Sequence, residues 1–258
     1  MQPIKKGGNM RKTALTPAER LIVAADFKPT LSNGREEVKT KVGSLARDLV
    51  GTGVCIKVNS ALRACGYELI TLIQSYGLKV FADLKLYDIS ETLATDGALL
   101  YKVKPELLTV VCSTGMKAMK ELKAQLPNTE VLGVTVLTSH TNDDCQEMFS
   151  CSTEEAVVRF ARQAERAGVD GFISSPKEVE ILRKMFGISM SINTPGIRPV
   201  WAIVPGDDQN PERIMTPAKA IKAGADRIII GRPIISAKNP YDAVMQTIEE
   251  IASASTLT

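Results

Sequence analysis

The sequence predicts an α/β chain folded as a (β/α)₈ (TIM) barrel in a single domain. Three observations carry that expectation. Short β-rich apolar runs alternate with helical patterns eight times over along 258 residues. Glycine-led turns, Gly168-Val169-Asp170 and Gly224-Ala225-Asp226, stand where a helix should end and a strand begin. No Gly-x-Gly-x-x-Gly turn follows the first apolar run, as it would in an open dinucleotide-binding sheet with the same alternation.

The elements follow in order. The first strand is the run Leu21-Ile22-Val23-Ala24-Ala25-Asp26, and further strands are expected near 54–58, 79–85, 107–112, 131–138, 171–174, 190–194 and 227–231. Between them, helical spacing covers 35–50, 61–76, 90–102, 116–125, 153–167, 176–186 and 216–223, with 240–252 last. At this length, with 44% apolar and 24% charged residues, the chain buries a full core as one domain, expected over 14–258. Residues 1–13 are polar and basic and lack the apolar segment of a signal peptide, so a flexible N-terminal extension is expected there.

Composition excludes several classes of function. A net charge of +3, from 32 basic and 29 acidic residues spread along the chain, is too mild and unclustered for a nucleic-acid footprint, although small anionic ligands fit it. No apolar run approaches the length of a membrane span. The five cysteines, Cys55, Cys65, Cys112, Cys145 and Cys151, are odd in number and form no Cys-x-x-Cys. They read as reduced thiols of a cytoplasmic protein.

The chemistry is concentrated where strands end. Asp83-Leu84-Lys85-Leu86-Tyr87-Asp88 follows the apolar run Val80-Phe81-Ala82, so charge falls where a buried strand runs out. Asp83 and Lys85, two apart in an extended strand, share one face, while Asp88 lies past the strand end. A lone Asp-x-Lys is ordinarily a solvated strand end. Here it has company, since Lys57 and Asp26 also close apolar runs. In a barrel all four sit at the C-terminal mouth, where catalytic groups gather. A buried ion costs several kcal/mol, so such groups must be paired or kept for chemistry. After the seventh strand comes Thr194-Pro195-Gly196-Ile197-Arg198-Pro199, then a loop to Gln209, and after the eighth comes Gly231-Arg232-Pro233. Glycine permits close backbone approach and arginine offers a planar fork to phosphate oxygens, so this end reads as a phosphate cradle.

With these motifs in view the chain resembles the orotidine 5′-phosphate decarboxylase family. The resemblance runs nearly end to end, most specifically in Asp83-x-Lys85-x-x-Asp88-Ile89-x-x-Thr92, Thr-Pro-Gly-Ile-Arg-Pro and the Gln209 loop before Gly-Arg-Pro. It implies cofactor-free decarboxylation of orotidine 5′-phosphate to uridine 5′-phosphate (UMP), the last step of pyrimidine nucleotide synthesis. It also implies a homodimer with shared active sites. By the same resemblance Lys57, Asp83 and Lys85 form a charged array, with Lys85 the proton donor to C6, and Asp88, Ile89 and Thr92 reach into the neighbouring subunit's site. Asp26 serves the ribose, Thr138 and Ser139 flank the pyrimidine, and Arg198, Gln209, Gly231 and Arg232 serve the phosphate. No metal ligand is implied.

Two positions depart from the family's pattern. Val111-Cys112-Ser113 stands where many members carry Val-His-Ala, and Ser90 stands where proline is usual; both bear on local packing rather than on the array. The sole histidine, His140, and Glu91 are assigned no role. Two alternatives stay open: a Mg²⁺-dependent sugar-phosphate decarboxylase or aldolase sharing the Asp-x-Lys-x-x-Asp motif, and a catalytically silent nucleotide-binding barrel.

Overall fold

The computed structural model describes residues 14–30, 33–202 and 215–255. Eight parallel strands close into a barrel in sequence order: β1 (Leu21–Ala24), β2 (Cys55–Val58), β3 (Lys79–Leu86), β4 (Leu107–Val111), β5 (Glu130–Val134), β6 (Gly171–Ile173), β7 (Ser191–Thr194) and β8 (Arg227–Ile230). Closure is made by β1 and β8, with Val23 opposite Ile230. The helices are α1 (Gly34–Asp48), α2 (Ser60–Cys65), α3 (Glu68–Gln74), α4 (Ser90–Leu100), α5 (Met116–Gln125), α6 (Asn142–Phe149), α7 (Thr153–Ala167), α8 (Val179–Phe186), α9 (Pro217–Lys222), α10 (Arg232–Ile235) and α11 (Pro240–Ser255). Among the described residues no helix is long and apolar enough to cross a membrane. The expected extension at 1–13 lies outside the described residues.

Alternation along each strand divides the core in two. Leu21 and Val23 face outward into the large cluster shared with the helices, whereas Ile22 and Ala24 join Cys55, Phe81, Leu107, Leu132 and Ile229 in a smaller cluster that fills the barrel. On β3 the outward set is Val80, Ala82 and Leu84, which leaves Phe81 and Asp83 on the inner face. The same period puts Lys57 above Cys55 and Thr109 above Leu107.

The N-terminal end of the barrel is closed by a polar plug. Arg227 grips Glu130 with two bonds of 2.9 and 2.8 Å and reaches Asn193 at 3.1 Å, while Ser191 also donates to Glu130. Each half-buried charge thereby has a partner, the condition under which burial is tolerated. Gly171 is required here: a Cβ on it would stand 2.4 Å from the backbone carbonyl oxygen of Ser191.

Several boundaries differ from expectation, each for a local reason. The helix expected over 61–76 is split into α2 and α3 by Gly66, whose φ of 81° ends the first piece. The strand expected over 131–138 ends at Val134. Beyond it, only a 3.4 Å bond from the Thr135 N–H to Ile173 prolongs the ladder, before the chain turns toward an unexpected helix, α6. That helix starts at a reciprocal Thr141/Asp144 capping box. The short α10 after Gly231 is a second addition. Ahead of α8, the Ser175 N–H donates to Glu178 at 2.9 Å, and burial pushes that carboxyl up to about 7.

Two stability experiments follow. Gly171→Ala is expected to lower the unfolding free energy by about 1–3 kcal/mol in urea titrations, because the added methyl meets backbone that cannot give way. Glu178 is protonated more readily folded than unfolded, so stability is expected to fall as pH rises from about 4.5 to about 7. Glu178→Gln should flatten that slope in denaturation midpoints measured across the window, by an amount on the order of 1–3 kcal/mol.

Candidate active site

Asp83 ends the inner face of β3 and is 6% exposed. Its carboxylate accepts from Lys85 Nζ at 2.7 Å through both oxygens, and Lys57 Nζ lies 3.3 Å from Oδ2. The Thr109 hydroxyl donates to Oδ1 at 2.9 Å, and the Asn59 amide approaches Oδ2 at 3.4 Å. Lys57, 7% exposed, also donates to both oxygens of Asp26 at 2.9 and 3.0 Å. The result is one chain of alternating charge, Asp26, Lys57, Asp83, Lys85, drawn from the ends of β1, β2 and β3. Burial alone pushes the Asp83 carboxyl up, but the ammonium groups of Lys57 and Lys85, with the bonds from Lys85 and Thr109, outweigh it and hold the group below the usual aspartate range.

The backbone contributes as much as the side chains. Register between β3 and β4 is regular at Ala82 and shifts before Leu86. Within that irregularity Lys85 takes φ 49°, a left-handed conformation rare outside glycine. The turn is held by a 2.9 Å bond from the Lys85 N–H to the Thr109 hydroxyl, and Arg63 binds the Leu84 carbonyl at 2.9 Å. Thr109 thus fixes both the carboxylate and the backbone of its lysine neighbour.

This array forms part of the wall of a cavity of about 740 Å³ at the C-terminal mouth. Thr138, Arg198, Gly231 and Arg232 line the same cavity, so these expected substrate-binding positions do converge with the array. Ser139 does not line it and instead borders an adjoining cavity of about 620 Å³ that shares Thr138 as a wall. Arg198 is 7% exposed, its N–H bonded to Met215 at 3.0 Å, whereas Arg232 is exposed on the rim. Gln209 lies outside the described residues, as does most of the loop that follows Pro199.

Asp88, Ile89 and Thr92 are not brought to this cavity. Asp88 is exposed, and Ile89 is 70% exposed at the start of α4. Thr114 pins the segment by donating to the Asp88 carbonyl at 2.7 Å and accepting from its N–H at 3.2 Å, and the Asp88 carboxylate caps the Ile89 N–H at 2.7 Å. Within one chain the array therefore has three expected catalytic members, Lys57, Asp83 and Lys85, with Asp88 presented outward. Tyr87, Leu99, Tyr101 and Met116 add exposed apolar surface on α4, α5 and their adjoining turns.

Cys112, one of the two departures, is fully buried, with its sulfur 2.7 Å from where a Cβ on Gly133 would stand. Burial pushes its thiol up to about 12, so it is a packing residue and not a nucleophile. Ser90 is the first residue of α4. Sequence reasoning missed Thr109, Asn59 and Thr114. The inward register of Thr109 could be read from strand alternation, but its partner could not.

The sequence model of the family described as "Orotidine 5′-phosphate decarboxylase / HUMPS family" matches residues 19–247. Among curated relatives, the orotidine 5′-phosphate decarboxylase of Afipia carboxidovorans is 38% identical over 95% of this chain and 100% of its own length. That of Geotalea daltonii is 39% identical over 74% of this chain and 81% of its own. Among solved structures, orotidine 5′-phosphate decarboxylase from Lactobacillus acidophilus superposes with a TM-score of 0.73 at 28% identity, covering 90% of this chain and 99% of that one. An uncharacterized conserved protein from Geobacillus kaustophilus is similar at a TM-score of 0.75 and 26% identity, with the same coverage. Taken with the closed barrel and the charged array at its mouth, these matches mean that the chain belongs to the orotidine 5′-phosphate decarboxylase / HUMPS family and is, at that family's level, a decarboxylase.

Proposed function

We propose that the protein converts orotidine 5′-phosphate to UMP and CO₂, without a cofactor, through the Asp26, Lys57, Asp83, Lys85 array. The observation that carries this reading is the Asp83 carboxylate, buried and ionised, with an ammonium group on either side of it.

The chemistry requires such an arrangement. Breaking the bond from C6 to the carboxylate leaves an electron pair in the plane of the base, with no adjacent π system to take it up, so a fixed cation has to stabilise it. Lys85 supplies that charge and then transfers a proton from Nζ to C6; water returns the proton to the lysine. Asp83 faces the departing carboxylate. Two like charges about 4 Å apart repel by about 4 kcal/mol at an effective dielectric of 20, and the repulsion is relieved as CO₂ leaves. Asp26 binds a ribose hydroxyl, Thr138 and Ser139 flank the pyrimidine, and Arg198, Gln209, Gly231 and Arg232 take the phosphate.

The same reading assigns Asp88, Ile89 and Thr92 to the active site of a second subunit in a cytoplasmic homodimer. Their support is their placement: they lie outside the chain's own cavity, on a pinned segment beside exposed Tyr87 and Leu99.

Three outcomes test the reading. Purified protein mixed with orotidine 5′-phosphate and a divalent chelator should show loss of the orotidine absorbance, and Lys85→Ala should slow it by at least about 10³-fold while circular dichroism stays unchanged. Near-normal turnover by that variant overturns the role of Lys85, and chelator sensitivity points to the metal-dependent branch of the family. Arg232→Ala should raise KM by about 10- to 100-fold with a smaller effect on kcat, as measured in steady-state assays, because it removes a charge-assisted bond remote from C6.

A further inference from the structure

Among the described residues, five basic and two acidic side chains line the main cavity. Its two acids, Asp26 and Asp83, are already engaged by Lys57 and Lys85. Arg198 is engaged as well, which leaves Lys28 and Arg232. Neither Lys28 nor Arg232 has a side-chain ion pair or hydrogen bond among the described residues, yet both are exposed on the wall of one cavity. Like charges left unpaired on one concave rim raise the local potential for an anion.

Their neighbourhood is built by the fold. β1 pairs with β8, with Val23 opposite Ile230, so the loops that leave these strands run side by side. Contact between them is close: a Cβ on Gly231 would meet the Ala24 Cβ at 3.5 Å and its carbonyl oxygen at 3.6 Å. The β1 loop is also held at both ends of the lysine. Phe27 packs on the core before it, and after it the Thr30 N–H and hydroxyl bind Glu37 of α1 at 2.8 and 2.6 Å. Lys28 thus projects from a braced backbone, which lowers the cost of ordering it on a ligand.

We propose that Lys28 is a further substrate-binding residue, which with Arg232 takes the phosphate group of a phosphorylated ribosyl ligand across the β1/β8 seam. The proposal rests on the reading of the site given above, and it adds a strand-one cation to a phosphate end otherwise drawn from strands seven and eight. A phosphate monoester carries about two negative charges near neutral pH, which matches the two cations on that rim.

Calorimetric titration of the full chain with UMP, uridine and ribose 5-phosphate tests it. Lys28→Gln is expected to weaken UMP and ribose 5-phosphate about three- to fivefold, to leave uridine unchanged and to reduce the salt dependence of UMP binding. Lys28→Arg should restore the affinity, and Lys39→Gln, on the outer face of α1, should have no effect. In turnover assays the Lys28→Gln loss should appear in KM and not in kcat. Unchanged affinity for both phosphorylated ligands in Lys28→Gln, or failure of both to bind the unmodified protein, overturns the assignment. If ribose 5-phosphate binds in a Lys28-dependent way but orotidine 5′-phosphate is not turned over, the decarboxylation reading fails while the phosphate site stands.

Discussion

Everything at the mouth of this barrel is arranged around one carboxylate. Asp83 is removed from water on the inner face of β3, and it stays ionised because Lys57 and Lys85 stand against it and Thr109 donates to it. Such an arrangement is a poor way to gain stability, since the desolvation of buried ions offsets most of their attraction and apolar residues of similar size would serve as well. Its return is a fixed electrostatic field. The ammonium groups are held in place by the fold itself, before any ligand arrives. The left-handed backbone at Lys85 belongs to the same device, because a regular strand would carry that lysine onward along β3 instead of folding it back over the carboxylate.

The two ends of the barrel use paired charge differently. At the N-terminal end, Glu130 and Arg227 satisfy one another with two parallel bonds, and Asn193 and Ser191 complete the plug. That network joins side chains of β5, β7 and β8 and faces the interior of the sheet. At the C-terminal end the network is open: Asp26 is 53% exposed at the side chain, Lys85 30%, and both border a cavity. Between them lies the apolar inner layer of Ile22, Phe81, Leu132 and Ile229, which insulates one network from the other. Loop chemistry can thus vary at the open end without loosening the opposite one.

The segment from Tyr87 to Thr92 shows how a motif can be continuous in sequence and divided in space. Asp83 and Lys85 point into the chain's own cavity, yet Asp88, three residues on, is held outward by Thr114. The strand ends at Leu86, and the odd spacing from Lys85 to Asp88 would in any case not keep the two on one face. The Asp88 charge is felt within its own chain by Asp96, whose carboxyl burial and Asp88 together push up.

The alternating pattern of the chain, together with the missing dinucleotide-binding glycine turn, indicated the barrel and which residues face inward, because side-chain period and strand burial are local properties. It also determined that Asp26, Lys57, Asp83 and Lys85 end strands on the inner side, and so share one mouth. Glycine-driven breaks such as Gly66, and the capped helix α6 inside what reads as a loop, were less legible, since short elements leave little periodic signal. Only the closed tertiary structure decided that Lys57 bridges two carboxylates, that Thr109 from the neighbouring strand locks both Asp83 and the Lys85 backbone, and that Lys28 and Arg232 share one rim. Those pairings depend on the register between strands and on the seam where β1 meets β8, distances between residues far apart in the chain that no local pattern encodes.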